Sequence, residues 1–193
     1  MGAAVASGWL RDQEQPTLRV DELTVRPWCL ADATAVVEAY RDPEIQRWHV
    51  RSMTEPEARD WVTSWSGRWR AETGTGWAVT RDGVLVGRVG FSVASLVEGL
   101  AEAAYWTVPS ARGGQVAVRA LRAVSRWMLG AGGFHRLEVN HSVANPASCR
   151  VAAGAGYTYE GTRRRLGLHR DGWHDMHLHA LLAEDGLGSE IAP

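Results

Sequence analysis

Residues Tyr105 to Ala117 run Tyr-Trp-Thr-Val-Pro-Ser-Ala-Arg-Gly-Gly-Gln-Val-Ala, an extended stretch that passes through a glycine turn into a long apolar-periodic helix. The first turn of a helix leaves N–H groups unpaired and carries partial positive charge, and glycines let the backbone approach an anion closely. Arg112 adds a fixed cationic fork, so this segment suits a pyrophosphate. It is neither a GxGxxG fingerprint nor a phosphate loop ending in Lys-Ser/Thr. About thirty residues further on stands Asn145-Pro146-Ala147-Ser148-Cys149-Arg150, followed by Gly154, Gly156 and Tyr157. By itself Ser148 reads as an ordinary helix-turn hydroxyl. Glu102 and Glu138, on the strands before and after the turn-helix unit, are alternative carboxylates for drawing a proton through a water.

These groups need a framework. Leu18 to Arg26 reads as a first strand ended by Pro27, and Asp32 can cap a helix through Tyr40. Thr54 to Glu57 is a capping box with Pro56 in the first turn, opening a helix that carries Trp61, Trp65 and Trp69 at spacing four. That stripe is either core or an aromatic wall. Trp77 to Thr80 and Val84 to Val93 form a hairpin around Asp82-Gly83, and Ala101 to Val108 is a further strand. A helix over Val116 to Leu129 ends at Gly130, Gly132 and Gly133; a strand over Arg136 to Val143, a short helix from Asn145 to Ala153, and strands from Tyr157 and over His174 to Leu182 follow. This order implies a mixed sheet with helices on both faces.

With these two motifs in hand, the chain resembles the GCN5-related N-acetyltransferase (GNAT) superfamily, in particular its RimJ/RimL-type ribosomal-protein N-terminal acetyltransferases, from about Leu18 to Leu182. The resemblance rests on Tyr105-Trp106, Arg112 to Ala117, Arg136-Leu137-Glu138, Asn145 to Val151, and Gly156-Tyr157 with Glu160-Gly161. Leu23 to Pro27, Asp32-Ala33, Asp42-Pro43-Glu44, Arg47-Trp48 and Gly87 with Val89-Gly90 occur in the same order. It implies an α/β fold (α+β mixed) with a central, mostly antiparallel twisted sheet of about seven strands and helices on both faces. One domain is expected over residues 17–183, and the Gly/Ser/acid-flavoured ends at 1–16 and 184–193, which show no clear period, are expected to be mobile.

The resemblance further implies acetyl-CoA as co-substrate. Its pyrophosphate would rest on Arg112, Gly113, Gly114, Gln115, Val116 and Ala117, and its pantetheine arm would pair with Trp106, Thr107 and Val108 and bond Asn145. Ser148 would return a proton to the leaving thiolate. Amides near Val108 or Val139 would polarise the thioester. Two positions depart from the pattern. Gln115 stands where the second glycine of Arg-Gly-x-Gly is usual, with Gly114 one residue early, and Ala152 stands where many members carry a tyrosine. The acceptor is expected to be a protein N-terminal α-amine, because a chain terminus, with pKa about 7.7 to 8.0, is more often neutral than lysine at about 10.4. Trp48, Trp77, the Trp61 stripe and His174 or His169 are expected to wall its groove. A small-molecule amine acetyltransferase and a non-catalytic CoA-binding module are the competing readings, and a homodimer through the terminal strands is a family expectation.

Composition narrows the field. A chain of 193 residues with net charge -1 suits one domain and carries no basic excess for a nucleic-acid backbone. No apolar run suits a signal peptide or a membrane span, so a cytoplasmic location is expected. Cys29 and Cys149 lie far apart without metal-ligand spacing, and His177 and His179 share a strand face without a third ligand in sequence, so no metal is expected.

Overall fold

The structure, a computed structural model, describes residues 2–49 and 51–186. Eight strands form one sheet, β1 (Leu18–Val20), β2 (Leu23–Pro27), β3 (Gly74–Arg81), β4 (Val84–Ser95), β5 (Leu100–Thr107), β6 (Arg136–Ser142), β7 (Thr158–His169) and β8 (Gly172–Leu182), in the order β1-β2-β3-β4-β5-β6-β8-β7. The eighth strand relative to expectation arises at Asp21, whose φ of 51° turns the predicted first strand into a tight hairpin. The helices are α1 (Ala33–Ala39), α2 (Pro43–His49), α3 (Glu55–Arg70), α4 (Val116–Leu129) and α5 (Pro146–Gly154). The β3–β4 hairpin turns where the Asp-Gly pair predicts, with Asp82 at φ 50° and Gly83 at φ 79°.

Strand alternation divides the apolar residues into two layers. Val25, Trp77, Val79, Val89 and Phe91 pack with Leu121, Val124 and Met128 of α4 on one face. Val36, Ala58, Val62, Ala78 and Trp106 close the other face under α1 and α3. The α3 cap forms as its sequence indicates, with the Thr54 N–H donating to Glu57 Oε2 at 2.7 Å. Trp65 and Trp69 are core residues, and Trp61 packs on Trp28 and Tyr40 and, with Trp65, flanks the buried guanidinium of Arg88. Trp61 and Trp65 therefore brace a buried cation, Trp69 packs on Trp77 and Trp127, and none of the three borders the cavity between β5 and β6.

Trp65 packs flat on Gly76 of β3, and a Cβ there would lie inside the indole's van der Waals envelope. Gly76→Ala is expected to cost about 1 to 3 kcal/mol by overpacking. Urea unfolding checks this, and an unchanged midpoint would refute the tight approach.

The N-terminal segment, expected to be a free end, is packed. Val5 and Leu10 are buried, and Glu72 accepts from the N–H groups of Gly8 at 2.6 Å and Leu10 at 2.9 Å. Trp69 and Trp77 donate their indole N–H groups to the carbonyls of Gln13 and Pro16, both at 2.9 Å. Buried indoles need acceptors, and this segment supplies them. At the other end, Ala183–Asp185 forms a 3-10 turn, and residues 187–193 of the expected tail lie outside the described residues.

Candidate active site

β5 and β6 run parallel but pair only from Leu100–Glu102 to Arg136–Glu138. Beyond that point β5 stays with β4 as far as Thr107, while β6 follows β8 to Ser142, so the sheet splays open. A cavity of about 770 Å³ occupies the split, walled by Ala103 to Thr107 on one side and Val139 to Ser142 on the other. Backbone groups along such a split can receive an extended ligand as an added strand.

One end of the cavity is the turn into α4. Gly113 has φ 79° and Gln115, the residue before the helix, has φ 55°. Gln115 thus holds the left-handed conformation that glycine favours, and Gly114 does not have a positive φ. The Gly114 carbonyl is held by Arg119 Nη2 at 3.0 Å, and Arg119 is itself paired to Asp21 and Glu22 of the β1–β2 turn. Arg112, Gly113, Gln115, Val116 and Ala117 line the cavity at the start of α4, where the first-turn amides carry partial positive charge; Gly114 does not line it. Arg112 is bound to Asp42 Oδ1. Burial alone would raise the Asp42 carboxyl, but this guanidinium and the Ile45 N–H hold it below the usual carboxylate range.

Of the strand residues expected to meet the pantetheine arm, Trp106 and Thr107 border the cavity. Val108 does not, because its N–H is already given to Val86 O at 3.0 Å, completing the β4–β5 ladder. Val139, the other expected amide donor, borders the cavity. Asn145 caps α5, its Oδ1 accepting from Ser148 N–H at 3.1 Å, and both residues line the wall.

Ser148 Oγ lies 2.7 Å from the hydroxyl of Tyr105, which also stands 3.1 Å from Ser148 O. A phenol with one proton satisfies both when it donates to the carbonyl and accepts from the serine. Burial pushes the Tyr105 hydroxyl well above the ordinary tyrosine range, so it stays protonated. Ala152 is buried and carries no titratable group; the phenol of this site comes from β5. Sequence reading missed it, although Tyr105 and Ala103 alternate toward α4.

Glu102 borders the cavity from the opposite face of β5, open to the cleft yet desolvated enough that burial raises its carboxyl above the usual range, an effect that a hydrogen bond from Asn140 opposes and Glu138 reinforces. Glu138 lies beside it in register but turns to Arg136 Nε at 2.8 Å and to Arg163 Nη2 at 3.8 Å, and it does not border the cavity. Of the two carboxylates, the geometry brings only Glu102 to the site.

Between α1 and α3 lies α2, which its sequence marks: Asp42 accepts from Ile45 N–H at 2.9 Å, and Pro43 opens the helix. α2 brings Trp48 and His49 to the cavity wall. His49 Nε2 donates to Tyr105 O at 3.1 Å, and burial with nearby Arg88 and Arg51 lowers its pKa to about 4, so the ring is neutral at physiological pH. Trp77, in contrast, is 0% exposed between Trp69 and Trp127 and has no part in the groove. Its strand position points it at α4. His169 borders the cavity beside Trp48, while His174 lies behind it, bonded to Ser142 Oγ at 2.7 Å and Asp171 Oδ1 at 2.9 Å.

An open sheet split between two strands, with a cationic helix-start turn at one end and a half-buried hydroxyl pair at the wall, is suited to a long anionic ligand. Residues 22–158 match the family model "Acetyltransferase (GNAT) domain", and the chain belongs to that acetyltransferase family. Its co-substrate is accordingly acetyl-CoA. Its fold is similar to that of RimL, described as a ribosomal L7/L12 α-N-protein acetyltransferase in complex with CoA, with TM-score 0.81 and 17% identity over 89% of this chain and 100% of that one. It is also similar to Mycobacterium smegmatis RimJ in complex with CoA-disulfide, with TM-score 0.79 and 24% identity over 90% of this chain and 89% of that one. A third likeness is the microcin C7 self-immunity acetyltransferase MccE, bound to acetyl-CoA and AMP, with TM-score 0.77 and 16% identity over 84% and 93%. Curated protein sequences gave no significant match. Among the described residues no helix is long and apolar enough to cross a membrane.

Proposed function

We propose that this enzyme transfers the acetyl group of acetyl-CoA to a protein N-terminal α-amine, with an N-terminal Ala or Ser as acceptor residue. The observation that carries this reading is the placement of the Tyr105–Ser148 pair and Glu102 on opposite faces of β5 at one split in the sheet. Arg112 and the amides of Gln115 to Ala117 take the pyrophosphate, and the cleft edge of β5 with Asn145 takes the pantetheine arm. The thioester then lies in the plane of the split. An amine entering from the Glu102 side loses its proton to that carboxylate through a water, and Ser148, backed by the neutral Tyr105 hydroxyl, returns a proton to the departing sulfur. Trp48 and His169 border the acceptor end. The RimL and RimJ descriptions point to the same class of acceptor, and a cytoplasmic location accords with it. Leu166, Leu168 and Trp173, exposed on the β7–β8 hairpin, support the expected homodimer through these strands.

Thiol release from acetyl-CoA tests the acceptor, with peptides beginning Ala or Ser set against free lysine, a polyamine and an aminoglycoside. Peptides are expected to react at least about tenfold faster in kcat/KM, whereas acetylation of the small amines alone would overturn the proposal. Glu102 must be ionised to act as a base, so activity falls as pH drops through its raised pKa, above the ordinary glutamate value of about 4.3. Glu102→Gln is expected to abolish this acid limb while leaving the limb set by the amine's own protonation. A limb unchanged in the variant would remove Glu102 from the mechanism.

A further inference from the structure

The paired histidines of β8, which lack a third ligand in the local sequence, acquire two more neighbours from elsewhere in the chain. Antiparallel register sets His141 of β6 opposite His177, and His179, two residues on, shares their face. Cys149 of α5 completes the group over this face. One donor atom from each of the four residues lies within 4.8 Å of every other. His141 Nε2 is 3.2 Å from His179 Nε2, and Cys149 Sγ is 3.7 Å from the same nitrogen. Around a tetrahedral zinc ion with bonds of about 2.0 to 2.3 Å, adjacent donors stand about 3.3 to 3.6 Å apart. The 3.2 and 3.7 Å spacings at His179 Nε2 lie close to this range, and the 4.8 Å limit on the rest leaves a small inward adjustment for an ion to draw the four donors together.

Two further features point to a ligand. The Nδ1 atoms of His177 and His179 are buried with no hydrogen-bond partner, so neither ring is committed to a protein partner through that nitrogen, and His179 turns its Nε2 to the cluster. His141 Nδ1 donates to Ser142 O at 2.9 Å, which fixes the tautomer and leaves Nε2 with its lone pair turned to the cluster, the arrangement metal-bound histidines show.

We propose that His141, Cys149, His177 and His179 form a structural site for one zinc-class divalent cation. Three imidazoles and a thiol, with no carboxylate, favour a borderline ion over magnesium or calcium. Cys149 releases its thiol proton to solvent on binding, and the resulting thiolate–metal bond ties α5 to β6 and β8. Ser148, adjacent to Cys149 in the chain, is thereby held against Tyr105. His141 borders the cleft, so the ion enters from the same cavity. The site stands independently of acetyl transfer.

The test uses the untagged full-length chain, assayed by elemental analysis as purified and then titrated with Co2+ after chelation. One zinc per chain, or one equivalent of Co2+ giving intense tetrahedral visible bands and a near-ultraviolet thiolate charge-transfer band that Zn2+ displaces, is the expected result. At a hundredfold excess of Zn2+ over Kd the melting temperature should rise by roughly 5 to 10 °C. Loss of folding on chelation that Zn2+ alone reverses also supports the site. Cys149→Ser should lose the charge-transfer band, and both it and His177→Asn should bind at least about tenfold more weakly. A folded wild-type chain with no bands and no thermal shift would overturn the proposal, as would bands that survive unchanged in both variants.

Discussion

Ser148→Ala is expected to lower kcat by roughly 100-fold or more, the lower part of the range for a positioned proton donor, with KM for acetyl-CoA changed by no more than about threefold. The reason lies in the 2.7 Å contact between Ser148 Oγ and the Tyr105 hydroxyl. A thiolate leaving a thioester needs a proton within reach, and the wall nearest α5 presents this hydroxyl pair. Tyr105→Phe should cost less, roughly tenfold, because the serine can still donate while losing its acceptor. The two groups act as a unit, so the double variant should be little worse than Ser148→Ala alone. Fully additive losses would show that the hydroxyls act separately, and a Ser148→Ala enzyme retaining a third of wild-type kcat would remove the serine from the proton path. Steady-state and single-turnover kinetics distinguish these results. Burial raises the Tyr105 hydroxyl above the ordinary tyrosine range, which keeps it neutral at physiological pH and accords with a donating role for the pair.

The second large effect is on ligand binding. At a hundredfold excess over Kd, acetyl-CoA should stabilise the folded chain by about 2.7 kcal/mol, a thermal shift of roughly 5 to 10 °C. Arg112→Ala should weaken binding roughly 10- to 100-fold, corresponding to loss of one charge-assisted hydrogen bond of about 1.5 to 3 kcal/mol. Gln115 already holds φ 55°, so it presents the helix-start amides as a glycine would. A non-glycine residue pays about 1 to 2 kcal/mol for that conformation, while glycine pays about 0.5 to 1 kcal/mol in entropy. Gln115→Gly is therefore expected to leave the ligand-free melting temperature equal or slightly higher and the acetyl-CoA shift undiminished. Differential scanning fluorimetry with and without acetyl-CoA settles both. No shift at saturating ligand in the wild-type chain would mean that the turn does not receive the pyrophosphate, and a much larger shift in Gln115→Gly would mean that the glutamine side chain obstructs it.

Local chemistry makes much of this molecule readable in one dimension. Helical periodicity marks α4 from Val116 to Leu129, Asp82-Gly83 marks the hairpin, Asn145-Pro146 marks the start of α5, and Arg112 to Ala117 marks an anion turn, because each depends on neighbours within a few residues. Register across the sheet and the packing of helices onto it depend on residues far apart in sequence. Alternation puts Glu102 and Glu138 on one face, but only the ion pairs of Glu138 with Arg136 and Arg163 leave Glu102 as the carboxylate at the cleft. Trp48 and Trp77 are equally aromatic in sequence; α2 brings one to the cavity, and the α4 layer encloses the other. Tyr105 meets Ser148 across 43 residues of chain, and three strand histidines meet Cys149 only when α5 closes over β6 and β8. Periodicity encodes which way a side chain points, whereas the partner it meets is set by long-range strand pairing and burial, which no local pattern contains.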